Sequence, residues 1–286
     1  MANTSLPSIV GVLGGGRMGA GIAHAFLTSG AEVVVVERDD ESAAAARERV
    51  LRDVSGSVER GKVDGSVDDY AAQLTVTTEH SDFANAGLVI EAVPEDFDLK
   101  VSSLQAVEAH LGEDAYLASN TSSMSINGLA EKLQRPQNFC GLHFFNPVPA
   151  SKLVEVVIGT QTSQQLKACT TQWVEGIGKT AVTVNDAPGF ASSRLGVALG
   201  LEAIRMVEEG VASAEDIDNA MVLGYKHPIG PLALTDIVGL DVRLGIAEYL
   251  EEKLGPRFAP PQLMRDMVER GELGRKSGKG FYTYDD

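Results

Sequence analysis

Positive charge is scarce in this chain: 24 lysines and arginines stand against 40 aspartates and glutamates, a formal net charge of −16 at pH 7. No basic field exists to hold DNA, RNA or an anionic membrane, so a polyanionic ligand must be gripped by a few local cations. Cysteine is nearly absent too. Cys140 and Cys169 have no paired metal-ligand spacing, so neither a disulfide framework nor a metal site is expected, and a reducing cytoplasm is the expected location. No apolar run approaches the roughly 20 residues of a membrane span, and the N-terminal Met-Ala-Asn-Thr-Ser-Leu-Pro lacks the basic and apolar regions of a secretion signal. Tandem repeats and low-complexity tracts are missing as well. What remains is a globular composition, 44% hydrophobic and 22% charged, in 286 residues, a length that predicts two domains with separate cores.

The N-terminal pattern is the clearest one present. Ser8 to Leu13 is an apolar, β-branched run that ends in Gly14-Gly15-Gly16-Arg17-Met18-Gly19, a match to G-x-G-x-x-G. Helical spacing of Met18, Ile22, Ala25 and Phe26 follows, Gly30 closes the segment, and Glu32 to Val36 reads as a buried parallel strand. In such a unit Gly14 permits the tight turn, Gly16 lets the backbone approach a pyrophosphate, and Gly19 lets helix and strand pack closely. Arg17 and Met18 lie within the same turn. Glu37, 18 positions after Gly19, can accept hydrogen bonds from the ribose hydroxyls of an adenosine and would repel a 2′-phosphate. NAD is therefore favoured over NADP, although Arg38 next door offers NADP a partial counter-charge.

The α/β alternation continues with a charged helix over Asp40 to Arg60, a strand over Gly87 to Glu91, a helix over Pro94 to His110 and a strand over Asp114 to Ala118. Leu153 to Ile158, a helix around Thr162 to Gly176, and the β-branched run Thr180 to Val184 complete it. From Phe190 onward the patterns are helical throughout: Ala191 to Glu209, Ser213 to Leu223 with Ser213 as N-cap, Leu234 to Leu254, and Pro260 to Arg270. The expected fold is α/β, a Rossmann-type doubly wound sheet domain over residues 1–186 followed by a smaller all-α domain over residues 187–286.

Chemistry concentrates in the middle of the chain. His143 and Glu155 lie on two apolar runs separated by the Pro-bounded turn Asn146-Pro-Val-Pro. An imidazole can take a proton near neutrality, and a carboxylate against its other nitrogen fixes the tautomer and stabilises the imidazolium. Ser119-Asn-Thr-Ser122-Ser follows a strand of the first domain, where loops line the ligand crevice, and offers donors to a carbonyl undergoing reduction. The same cluster also reads as an N-cap for Ile126 to Glu131.

With these residues in place the chain resembles the 3-hydroxyacyl-CoA dehydrogenase family. The resemblance rests on the glycine turn, Glu91-Ala-Val-Pro-Glu95, Ser119-Asn-Thr-Ser122-Ser, His143-Phe-Phe-Asn146-Pro-Val-Pro, Lys152-Leu-Val-Glu155, Asp186-Ala-Pro-Gly-Phe190, His227-Pro-Ile-Gly-Pro-Leu with Asp236-Ile-Val-Gly-Leu-Asp241, and Lys276-Ser-Gly-Lys-Gly-Phe-Tyr282. Size and motif form are most similar to stand-alone bacterial 3-hydroxybutyryl-CoA dehydrogenases. The resemblance implies NAD-dependent oxidation of (S)-3-hydroxyacyl-CoA to 3-oxoacyl-CoA, with His143 as base, Glu155 as its orienting partner, Ser122 on the substrate oxygen and Asn146 positioning substrate or nicotinamide. It also implies cofactor contacts at Glu95, Lys100, Ser122, Asn146 and Lys276, and a homodimer formed through the helical domain, for which Leu199, Ile204 and Val207 offer apolar surface.

One departure stands out: after Pro-Gly-Phe the family reads x-x-Asn-Arg, whereas this chain has Ser193 before Arg194. A serine is shorter and has no amide, so a substrate contact there needs a water or a shifted substrate. Lys62 and Lys152 are the candidate cations for the phosphates of an acyl-CoA substrate. Alternatives of other classes are a dehydrogenase of a free 3-hydroxy acid of the gulonate or carnitine kind, a different CoA ester such as 3-hydroxyadipyl-CoA, and a non-enzymatic NADH-binding module.

Overall fold

The computed structural model describes residues 6–284, so the N-terminal Met-Ala-Asn-Thr-Ser segment read above lies outside the described residues. Strands are β1 (Ile9–Leu13), β2 (Glu32–Val36), β3 (Leu74–Thr77), β4 (Leu88–Glu91), β5 (Tyr116–Ser119), β6 (Phe139–Phe144), β7 (Leu153–Ile158) and β8 (Thr180–Asn185). Helices among them are α1 (Arg17–Leu27), α2 (Asp40–Glu59), α3 (Val67–Ala72), α4 (Phe97–Glu108), α5 (Ile126–Ala130) and α6 (Gln164–Gly176). The helices α7 (Ser192–Glu208), α8 (Ala214–Asn219), α9 (Pro231–Val238), α10 (Leu240–Leu254) and α11 (Gln262–Glu269) follow. The chain divides into two compact units, Met1–Asp186 and Ala187–Asp286.

In the first unit the strands form one sheet in the order β3-β2-β1-β4-β5-β6-β7-β8. Its central strands are β-branched because helices cover both faces: Val10, Val12, Val33, Val35, Leu88 and Ile90 are at most 1% exposed, each such side chain contributing about 1.5–3 kcal/mol by burial. The chain runs from β1 outward to β3 and then returns to β4 on the other side of β1, which makes the β1/β4 junction the switch point where ligands of this architecture bind. Leu13 and Glu91 are register partners there. The sheet is parallel from β3 to β6, but β6 and β7 pair antiparallel, a departure from an all-parallel reading. Residues 145–152 are too short a connection for a crossover helix, so they return the chain as a hairpin.

Three further details differ from the sequence reading. The stretch between α2 and β4 contains α3, which has a reciprocal capping box between Ser66 and Asp69, and the edge strand β3. Both are too short to leave a periodic signal. The helix expected over Leu234 to Leu254 is two helices, because Gly239 adopts φ +104°, a value that ends α9 and starts α10. Ser213 caps α8 through the Asp216 amide, but the regular helix stops at Asn219 and continues as a wider π-type turn over Ala220–Gly224.

The second unit has its own core, built from Val197, Leu201, Ile204, Leu232, Leu250 and Met264. Ile204 is therefore fully buried and offers no surface, contrary to expectation; the most exposed large apolar residues include Leu195, Leu223, Tyr225 and Ile237. Two buried aspartates fasten the C-terminal segment: Asp236 accepts from Phe281 N and Tyr282 N, and Asp218 accepts from the Tyr282 hydroxyl at 2.8 Å.

Candidate active site

The hairpin puts His143 and Glu155 opposite each other as register partners. His143 Nδ1 lies 2.8 Å from Glu155 Oε2, and the two residues are 7% and 1% exposed. A carboxylate accepts, so the ring donates from Nδ1 and Nε2 carries the lone pair that can take a proton. Phe145 packs on the imidazole with ring centroids 4.4 Å apart, which limits rotation of the ring. Asn120, which follows β5, accepts the Phe144 amide at 2.8 Å and so ties the Ser/Thr/Asn loop to the end of the His143 strand.

That loop is organised from beneath by buried charge. Glu91 at the end of β4 is fully buried, yet it accepts from Lys100 Nζ at 2.7 Å, from Ser119 Oγ at 2.6 Å and from Val93 N at 2.7 Å. Lys100 also donates to Val93 O at 3.1 Å and lies 3.2 Å from Glu95 Oε2. The other oxygen of Glu95 gathers Thr121 Oγ1, Ser122 N at 3.0 Å, Ser122 Oγ at 3.4 Å and Ser123 Oγ at 3.3 Å. Burial acts to raise the Glu95 carboxyl, but the Lys100 charge and these hydrogen bonds hold it below the usual glutamate range. Lys100 thus aligns Glu95, and Glu95 aligns Ser122. This role of Glu91 is invisible in its sequence motif, since nothing local marks a glutamate as buried.

At the switch point the glycine turn fits a dinucleotide. Gly14 has φ +89°, and a Cβ on Gly19 would lie 1.7 Å from Gly14 O, whereas one on Gly16 would meet open space. The α1 N-terminus has no side-chain cap and no acid in its first turn, so its amides suit a pyrophosphate; α2, α4 and α6 are capped by Asp39, Asp96 and Ser163. Glu37 Oε1 accepts from Gly15 N at 2.7 Å, which holds the carboxylate against the glycine turn. Arg38 is turned to Asp39, with Nε 3.0 Å from Oδ2. Met18 is partly buried against the core.

A cleft of about 550 Å³ opens beside this turn, lined by Arg17, Arg49, Arg52, Asp53, Arg60, Lys62 and the hairpin residues Asn146 to Ala150. Five cations surround one acid in a chain of net charge −16. Lys62 is therefore one of a cluster, and Asn146 is on the wall of the same cleft; Lys152 does not line it. Arg49 and Arg52 on α2 and Arg60 at its C-cap carry no local mark in the sequence beyond spacings of 3 and 8, which place them on one face of the helix. Ser193 and Lys276 belong to the second unit, where Ser193 occupies the first turn of α7 and Lys276 pairs with Asp241 at 2.6 Å. Among the described residues no cluster of His, Cys, Asp and Glu could hold a metal ion, and no helix is long and apolar enough to cross a membrane.

A doubly wound sheet and an uncapped helix behind a glycine turn define the frame of a dinucleotide-binding protein. The family patterns described as 3-hydroxyacyl-CoA dehydrogenase, NAD binding domain and C-terminal domain match residues 9–187 and 189–284. A 3-hydroxybutyryl-CoA dehydrogenase of Mycobacterium tuberculosis is 44% identical, over 96% of this chain and 98% of its own. A probable 3-hydroxybutyryl-CoA dehydrogenase of Deinococcus radiodurans is 42% identical, over 96% and 99%. The crystal structure of (S)-3-hydroxybutyryl-CoA dehydrogenase from Ralstonia eutropha superposes with a TM-score of 0.93 at 40% identity, covering 98% of this chain and all of that one. The chain belongs to the 3-hydroxyacyl-CoA dehydrogenase family and is an NAD-dependent oxidoreductase acting on a CH–OH group.

Proposed function

We propose that the protein interconverts short-chain (S)-3-hydroxyacyl-CoA and 3-oxoacyl-CoA in the cytoplasm, with His143 as the proton-transfer residue. The His143–Glu155 pair carries this reading: a buried imidazole donating to a buried carboxylate is built to gain a proton and stay in register. In the oxidative direction the substrate hydroxyl gives its proton to His143 Nε2, and Glu155 balances the imidazolium. NAD⁺, held with its pyrophosphate at the glycine turn, would supply the hydride acceptor for the same carbon. Ser122, whose amide Glu95 holds, turns its hydroxyl proton from the long 3.4 Å contact with Glu95 to the substrate oxygen as that oxygen becomes a carbonyl, and Asn146 positions the reacting ends. In reduction the imidazolium returns the proton.

The cationic cleft supports a CoA ester over a free hydroxy acid. Five cations beside the hairpin suit the phosphates of CoA, which a free acid lacks. The second unit is assigned the acyl contact through Ser193, a cofactor contact through Lys276, and dimerisation, for which exposed Leu195, Leu223, Tyr225 and Ile237 supply apolar surface. NADH oxidation with acetoacetyl-CoA, longer 3-oxoacyl-CoAs and free 3-oxo acids tests the reading: turnover is expected with the short CoA ester, and turnover restricted to free acids would overturn it. Sedimentation showing a monomer at micromolar concentration would remove the dimer.

A further inference from the structure

Residues 145–152, which join β6 to β7, carry Asn146 and wall the cationic cleft, yet few of their own bonds shape them. Ala150 N and Ser151 N both donate to Pro147 O, at 3.0 and 2.9 Å. The carbonyls of Val148 and Ser151 both accept from one group: Lys179 Nζ lies 2.6 Å from each. Lys179 stands between α6 and β8, in the segment that also donates Thr180 N to Lys152 O. On its other side the hairpin is pressed against α1. Val148 is 2% exposed, and a Cβ on Gly21 would come within 2.7 Å of Val148 Cβ.

Among the described residues no carboxylate pairs with Lys179, and burial lowers its pKa. A partly desolvated ammonium is costly unless its donors are used, and here two of them are used by the hairpin backbone. An apolar side chain would fill such a site at lower cost if packing were the sole need. Resting on the reading above, we propose that Lys179 is a positioning residue: through Val148 O and Ser151 O it sets the path of the hairpin, and so the placement of Asn146 and of the cleft wall against the phosphate-bearing substrate.

The test compares wild type, Lys179→Met and Lys179→Cys, the last before and after alkylation with 2-bromoethylamine, which rebuilds a lysine-length ammonium. Both native cysteines are buried, so the introduced thiol reacts selectively. Lys179→Met should lower kcat/KM for acetoacetyl-CoA by about tenfold or more, as small misplacements of reacting groups do, while NADH affinity stays within about twofold. The Ala150 and Ser151 amides should exchange with solvent about tenfold faster or more. Aminoethylation of the cysteine variant should restore both. Wild-type kinetics and amide protection in Lys179→Met, or losses that aminoethylation leaves in place, would overturn the proposal. A wild-type enzyme inert toward acetoacetyl-CoA would instead count against the substrate reading, and the exchange measurements would still decide the role of Lys179.

Discussion

Glu91 Oε1 and Lys100 Nζ lie 2.7 Å apart with their side chains 0% and 2% exposed. This pair sits directly behind Glu95 and hence behind Ser122. Removing one partner strands the other charge in the interior, so Lys100→Met should destabilise the first unit by about 3–5 kcal/mol. Adding Glu91→Gln should recover part of that loss, because the stranded charge is then gone. Urea unfolding of the two variants measures both effects; equal stability of wild type and Lys100→Met would show that the pair is not coupled to folding.

His143→Gln and Glu155→Gln should each lower kcat by about 10²-fold or more and leave NADH affinity unchanged, the pattern expected for a base and the group that orients it. Steady-state kinetics with fluorescence titration of NADH separates the two quantities. Full activity in either variant would refute its assigned role.

Charge reversal in the cleft, Arg52→Glu or Arg60→Glu, should raise KM for acetoacetyl-CoA by about tenfold or more with little change in kcat, since charge-assisted contacts of about 1.5–3 kcal/mol are lost from ground and transition states alike. The wild-type KM should itself rise with ionic strength. A salt-independent KM would show that these cations do not meet the substrate phosphates.

Glu37→Ser should narrow the preference for NADH over NADPH by about tenfold or more, because a carboxylate facing a 2′-phosphate is removed. Comparison of kcat/KM with the two cofactors decides it. Comparable efficiencies in the wild type would show that Glu37 does not discriminate.

His24 provides a pH test within the same unit. It is 6% exposed, its Nε2 is 2.8 Å from Ser57 Oγ, and its Nδ1 has no hydrogen-bond partner among the described residues. Burial lowers its pKa; nearby Asp53 opposes this, while Lys179, Arg60 and Lys62 reinforce it. The unfolded chain therefore binds a proton that the folded chain refuses, and stability falls as pH drops through about 6.5 toward the lowered folded value. His24→Gln, which can still bond Ser57, should flatten that fall when urea unfolding at pH 7.5 and pH 5.5 is compared.

Several features are legible in the sequence because their signals are local. The glycine turn, the alternation of β-branched runs with helices and the helical texture after Phe190 each depend on neighbours along the chain. The hairpin pairing of His143 with Glu155 was half legible: the residue types and the turn were visible, but the register that makes them direct partners depends on sheet geometry. Gly239 was missed for a related reason. Apolar spacing runs through it unbroken, and only its φ of +104° separates α9 from α10.

By itself the sequence determined where a dinucleotide-binding unit begins, which chemistry-bearing side chains are present and that no broad basic surface exists, since composition and short-range spacing carry that information. The tertiary structure alone decided which charges meet. Glu91 and Lys100 are nine residues apart, but Glu95 reaches Ser122 across 27, the cleft draws on α1, α2 and the hairpin, and Lys179 reaches back 31 residues to Val148. Such contacts form only when the sheet brings distant loops to one edge, and no periodicity along the chain encodes that closure.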